Sequence, residues 1–329
     1  MIKVSNKFPP ILIYQMGKVG SSSIRLSLSS ININNPVYYI HYLSWSSIVS
    51  IEKYYLDKLI EVPSHIKSSK LLRQFIDTYL GQIRFKIITL VRDPIARNIS
   101  STFQNIHLSL PHIEHTESKK AVNNIISLLM NTFKVFDEKQ HQVCTWFDNE
   151  IGEVFHFDVF SVPFDINRGY QIYTTKYCDI LIMRLENLNV CCQQAMDEFL
   201  GLKDFILTNN NSGKNKWYAD IYNQTLTKLK IPKSYLDQIY NSRFAKHFYS
   251  YLELQNFKMK WLNKCLEPDP ILKNAEYEFN KGNLNESIQL ILSVIDNQPR
   301  NTFALNLLGK IHWQAGDNQQ AIKYFQMVH

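Results

Sequence analysis

Cysteine is scarce in this 329-residue chain. The five present, Cys144, Cys178, Cys191, Cys192 and Cys265, follow no pairing pattern: there is no CxxC, no histidine at zinc spacing, and the count is odd. That excludes a disulfide framework and a zinc ribbon and leaves reduced thiols as the expectation. Long apolar runs are missing as well. No window approaches the roughly 18 apolar residues of a membrane span, and the opening MIKVSNKFPP carries two lysines without an apolar stretch behind them. Neither a transmembrane segment nor a secretory leader is read, and a cytoplasmic location is expected. No strict Asp-x-Asp triplet occurs; the nearest approximations are Asp148-Asn149-Glu150 and Glu267-Pro268-Asp269. A metal-dependent glycosyl transfer therefore lacks its usual carboxylate pair, and no metal ligand set is read. Charge does not run together either: 36 Lys and Arg against 29 Asp and Glu give +7, dispersed along the chain. This favours an anionic ligand in general, and charge alone does not separate a nucleotide pocket from a polyanionic acceptor or a nucleic acid; nucleic acid is not expected as a partner.

What the chain does have begins at residues 11–24, ILIYQMGKVGSSSI. Ile11-Leu12-Ile13-Tyr14 is short, continuous and apolar after Pro9 and Pro10, the pattern of a strand buried on both faces of a parallel sheet. Gly17 and Gly20 permit a tight turn that exposes backbone N–H groups, and Ser21, Ser22 and Ser23 supply hydroxyls where a helix starts. Spare N–H donors at a helix N-terminus beside an ammonium make an anion site. Lys18 precedes the second glycine and Val19 follows it, so the GxxxxGK[ST] loop of magnesium-dependent nucleoside triphosphatases and kinases is not met.

Residues 22–29 read as a helix, 37–43 as a second strand, 45–80 as helical with an interruption at Pro63, and 85–91 as a third strand ending in Arg92-Asp93-Pro94. A strand-like stretch at 180–185 follows a helical middle region. This alternation predicts an α/β fold with a parallel sheet flanked by helices, in which ligands bind beyond the carboxyl ends of the strands. Lys18 and Arg92 both stand there, and His41 lies near the end of the strand between them. From Arg92, Ser100 is eight residues on, two turns into the next helix, so a guanidinium fork and a hydroxyl can face one phosphate.

Together, GKVGSSS and VRDPIARNISS resemble the sulfotransferases that use 3′-phosphoadenosine 5′-phosphosulfate. The resemblance implies a P-loop-type sheet, with Lys18, Val19, Gly20, Ser21, Ser22 and Ser23 holding the 5′-phosphosulfate and Arg92 and Ser100 the 3′-phosphate. YQMGKVGSSSI, VRDPIARNISSTF, WFDNE (146–150), RLENL (184–188) and above all Asn215-Lys216-Trp217-Tyr218 are similar to the NKWYS family of capsular polysaccharide synthesis proteins, a bacterial branch of that superfamily. Ala219 stands where the family name would continue with serine. By the same resemblance Lys214, Lys216 and Trp217 form a lid over the nucleotide, and the acceptor is a saccharide hydroxyl. Lys18 suits the bridging charge. His41 is the first candidate for the base, because its ordinary pKa lies nearest neutrality, and Glu150 is the second. A kinase, a glycosyltransferase of capsule synthesis and a non-catalytic scaffold remain as alternatives.

The last sixty residues change character. KGNLNESIQLIL (281–292) and AGDNQQAIKYFQ (315–326) align with Gly282 and Gly316 34 residues apart. That period, with Leu308-Gly309, Ala321 and Phe325, resembles two tetratricopeptide repeats, the second incomplete, which implies a protein partner. Two domains are expected, 1–265 α/β and 266–329 all-α.

Overall fold

In a computed structural model, residues 8–208, 216–263, 270–297 and 301–327 are described. The chain divides into two compact units, Met1–Trp261 and Leu262–His329.

The first unit is built on a five-stranded sheet of order β2-β1-β3-β5-β4. The strands are β1 Ile11–Tyr14, β2 Val37–Ile40, β3 Phe85–Val91, β4 Tyr170–Thr174 and β5 Cys178–Arg184. Every residue of β1 is buried, and β3 and β5 are buried except at Lys86 and Asp179, as expected of strands covered on both faces. β1 pairs in parallel with β2 and β3, and β3 with β5. β4 returns antiparallel along the outer side of β5, Tyr170 opposite Met183. The chain leaves β1 toward β2 on one side and reaches β3 on the other. The crevice beyond β1 and β3 is therefore the topological switch point of the sheet, where open α/β folds bind ligands.

Local sequence sets the helix starts there. Gly20 (φ +92°) turns the chain from β1 into α1, Ser21–Ser29, and an alanine Cβ at this position would lie 2.4 Å from Leu185 Cδ1. Ser44 caps α2, Trp45–Asp57, by accepting from Ser47 N at 3.2 Å, and Pro63 precedes α3, Ser64–Tyr79. Asp93 caps α4, Pro94–Gln104, by accepting from Ile95 N at 3.1 Å, with Pro94 at the first helical position. Two expectations are corrected. β2 stops at Ile40, so His41 and Tyr42 lie in the loop beyond it, and the antiparallel edge strand β4 has no counterpart in the sequence reading.

The second unit contains the helices Pro270–Asn280, Leu284–Asn297, Thr302–Gln314 and Asn318–Met327. Gly282 (φ +87°) and Gly316 (φ +80°) supply the left-handed turn inside each hairpin. Leu272, Ala275, Ile291, Val294, Ala304, Leu307, Leu308 and Ile311 form one apolar core. Gly309 lets two helices touch: a Cβ there would lie 2.4 Å from Phe325 Cε1. Among the described residues no helix is long and apolar enough to cross a membrane.

Candidate anion-binding site

The loop joining β1 to α1 carries three left-handed residues, Gly17 (φ +80°), Lys18 (φ +61°) and Gly20 (φ +92°). Arginines from the β3–α4 segment hold its backbone in that shape. Arg97 donates through Nη2 to Met16 O at 2.6 Å and through Nε to Gly17 O at 3.2 Å, while Arg92 Nη1 donates to Lys18 O at 3.1 Å. Three consecutive carbonyls are thus tied to cations on one side, and no side chain caps the N-terminus of α1 that follows. Carbonyls turned to the arginines and amides left without a cap make a cradle for negative charge.

The cradle is cationic, and the described residues supply it no counter-charge. Among the described residues no carboxylate pairs with Lys18, Arg92, Arg97 or Lys216. Lys18 Nζ and Lys216 Nζ both donate to Gln104 Oε1, at 3.3 and 3.2 Å, at the last residue of α4. The shared acceptor is neutral. Burial, then the charges of Lys216, Arg92 and Arg97, push Lys18 down to about 8. Arg97, 5% exposed, is lowered to about 10 by burial. An anion would relieve both.

Lys216 reaches the acceptor it shares with Lys18 because the segment it belongs to docks on α4. Phe103 packs against Tyr218 and Tyr222, with ring centroids 5.4 and 4.8 Å apart, and the half-exposed Trp217 stands edge-on to Tyr218 at 5.3 Å. Lys214 lies outside the described residues. Ser100 is partly exposed on α4 with no hydroxyl partner among the described residues. The three serines divide: Ser21 is buried with its hydroxyl 3.0 Å from Tyr39 Oη, Ser23 is buried, and Ser22 is partly open. Val19 is fully buried and can offer only its amide.

His41 stands over Gly17, whose Cβ, if present, would lie 3.9 Å from ring atoms Cε1 and Nδ1. Its Nδ1 is 2.7 Å from Gln15 Nε2 and 3.1 Å from Gln15 O, and Nε2 has no partner among the described residues. Tyr39, Tyr42 and His65 surround the ring. Burial, the largest cause, outweighs the hydrogen bond to the Gln15 carbonyl and, with the charges of His65 and Arg97, lowers the His41 pKa below its ordinary value.

Glu150, the second candidate for the base, lies in the interior. It is 1% exposed within a π-helical turn, Phe147–Gly152. One carboxylate oxygen accepts from Tyr14 Oη, Leu43 N (2.8 Å) and Ser44 N (3.0 Å), the other from the Ser44 hydroxyl (3.0 Å). With both oxygens engaged in the interior, Glu150 anchors the start of α2 to β1 and is not presented as an open base. Behind Arg92, Asp93 accepts from Tyr240 Oη at 2.8 Å and Trp261 Nε1 at 2.9 Å, and its own N–H donates to Glu186 at 2.8 Å. Burial raises both carboxyl groups, and these donors hold them.

Sequence reasoning missed Gln15, Arg97 and Gln104. Gln15 had a visible signal, a polar residue ending a buried strand at the switch point. Arg97 stood among Ile95, Ala96, Asn98 and Ile99 on a helix whose buried side could not be told from the string.

The family model described as "Putative capsular polysaccharide synthesis protein" (NKWYS) matches residues 117–250. This span contains Glu150, Arg184 to Glu186 and Lys216 to Tyr218, and leaves out the glycine loop and Arg92. Comparison with curated proteins and with solved structures gives no match.

Proposed function

We propose that the first unit is a sulfotransferase that takes a sulfuryl group from 3′-phosphoadenosine 5′-phosphosulfate and passes it to an acceptor hydroxyl, with a saccharide of capsule synthesis as the acceptor class. The observation that carries this reading is the loop of residues 16–18, tied by three carbonyls to Arg92 and Arg97 and ringed by four cations that no described carboxylate neutralises. When bound, the nucleotide supplies an activated S–O bond, which breaks toward its 5′-phosphate as a new S–O bond forms to the acceptor, releasing 3′,5′-adenosine bisphosphate. Lys18 and the amides ahead of α1 hold the charge that grows on the departing phosphate. Arg92, Ser100 and Lys216 bind the distal phosphate, and Trp217 and Tyr218 offer rings for the base. His41 faces the acceptor side, and which of its nitrogens carries the proton decides whether it takes the acceptor's proton or donates a hydrogen bond to the sulfuryl oxygens. The helical hairpins of the second unit, with their 34-residue period, are read as tetratricopeptide-like repeats that recruit a protein partner.

Thermal unfolding with 3′,5′-adenosine bisphosphate, ATP and inorganic sulfate tests the site. At about a hundred times its dissociation constant the bisphosphate is expected to add roughly 2.7 kcal/mol, with ATP clearly weaker. Equal shifts with the two nucleotides, or none, would overturn the assignment.

A further inference from the structure

One buried side chain joins the glycine loop to His41. Gln15 is fully buried, and its amide is saturated in one orientation. Its Oε1 accepts from Gly17 N at 2.5 Å, and its Nε2 donates to Tyr39 Oη at 3.2 Å and faces His41 Nδ1 at 2.7 Å. Gly17 N–H can only donate, so it fixes which end of the amide is the oxygen. Rotating the amide by half a turn would set NH2 against that N–H and leave two donors opposed in the interior, at the usual cost of about 1–3 kcal/mol for an unsatisfied buried group.

We infer that Gln15 is a positioning residue that holds the uncharged form of His41 with its lone pair on Nδ1 and its proton on Nε2. The competitor is the Gln15 backbone carbonyl, 3.1 Å from the same Nδ1, which would favour the opposite tautomer. The amide wins by its shorter contact and because its other two bonds already fix it. The groups facing the ring from neighbouring elements are Tyr39 on β2, Tyr42 in the following loop, His65 on α3 and Arg97 on α4; none of them offers a carboxylate that would draw the proton to Nδ1. His41 therefore enters the site as an N–H donor. Its catalytic meaning rests on the sulfuryl-transfer reading: Nε2–H bonds to the oxygens of the group in flight, and the acceptor's proton passes to the departing 5′-phosphate or to solvent as the new S–O bond forms, not to His41. The tautomer itself stands apart from that reading.

Nitrogen-15 NMR on the full chain labelled at histidine tests it, with His41 assigned by loss of its signals in His41→Gln. At a pH where the ring is neutral, the wild type is expected to show a directly bonded proton on Nε2 and an unprotonated Nδ1. Gln15→Glu keeps an acceptor for Gly17 N but turns an acceptor toward Nδ1, so the tautomer reverses and His41 titrates at higher pH. Gln15→Met leaves only the carbonyl and reverses it as well. A wild-type ring protonated at Nδ1 overturns the inference without need of any variant, and so does an unchanged tautomer in a folded Gln15→Met. Titrating 3′,5′-adenosine bisphosphate into the same samples separates the two claims. The expected tautomer without nucleotide binding would defeat the sulfotransferase reading alone, and nucleotide binding with the reversed tautomer would defeat this one alone.

Discussion

Two neighbouring strands of the sheet end alike and serve opposite ends. β3 runs into Arg92 and Asp93, β5 ends in Arg184 with Glu186 two residues on, and the strands are in register with Val91 beside Arg184. At β5 the arginine is paired: Arg184 donates to Glu253 at 3.0 Å and to Phe248 O at 3.2 Å and joins two distant segments. At β3 the cations are left open, Arg92 and Arg97 spending their donors on carbonyls and side-chain amides. Burial is similar on both sides, since Arg97 is 5% and Arg184 2% exposed. The difference lies in the counter-charge: Arg184 has a carboxylate partner, and Arg92 and Arg97 have none among the described residues.

Exchanging each arginine for an unbranched apolar residue breaks the comparison most directly. Arg97→Met is expected to weaken 3′,5′-adenosine bisphosphate binding by about a hundredfold or more by calorimetry, because Met16 O and Gly17 O lose the charged donors, each worth about 1.5–3 kcal/mol, that hold the loop in its anion-facing shape. Arg184→Met strands Glu253, which is one-third exposed. It should cost about 2–3 kcal/mol in denaturant unfolding, somewhat under the range for a fully buried pair, with binding retained. A normal affinity in Arg97→Met would remove the distinction between the two strand ends.

Gly20→Ala acts on the backbone between them. Its positive φ and the 2.4 Å approach to Leu185 together should cost about 1–3 kcal/mol and weaken the bisphosphate. Adding Leu185→Ala relieves the contact and not the φ, so recovery in a double-mutant cycle is expected to be partial.

Lys18 sharpens the comparison through pH. Its folded value, about 8, lies below the ordinary 10.5, so between these limits the unfolded chain binds more protons and the stability of the unliganded protein rises with pH. Bisphosphate affinity moves the other way, falling above pH 8 by up to about tenfold per unit as the ammonium is lost. Lys18→Met should abolish that slope; if the slope persists, another group carries it.

The smallest effect is expected at Glu150. A glutamine there can accept the three bonds made to one oxygen and donate to Ser44, so Glu150→Gln should change stability by less than about 1 kcal/mol and leave nucleotide binding unchanged. Glu150→Ala, which strands Leu43 N and Ser44 N, should destabilise well beyond that.

The strands that carry the site were legible because buried parallel strands write themselves as unbroken apolar runs: 85–91 was read with its observed bounds, and 11–14 likewise. Residues 37–43 ran three positions too long because Tyr42 and Leu43 continue a β-rich composition after the pairing with β1 has ended at Ile40. Tyr170–Thr174 escaped because a short edge strand need satisfy only one neighbour and shows no continuous burial. In the site, Lys18, Arg92 and Lys216 were visible as charges near strand ends or in a motif. Arg97 and Gln15 act through backbone carbonyls and amides, which leave no imprint in residue identity. Glu150 could not be placed for a related reason: a carboxylate that caps a helix 106 residues away is indistinguishable in the string from one that faces a cleft.

Asp93 is made early and finished late. Its carboxylate takes the Tyr240 hydroxyl and the Trp261 indole, 147 and 168 residues further along the chain. During synthesis all five strands have been extruded soon after Arg184 emerges, yet the turn bearing Arg92 still lacks two of its three side-chain and amide donors. A nascent chain halted before Tyr240 is expected to hold a paired sheet and to bind no nucleotide, because the acid beneath the site is buried before either of these partners exists.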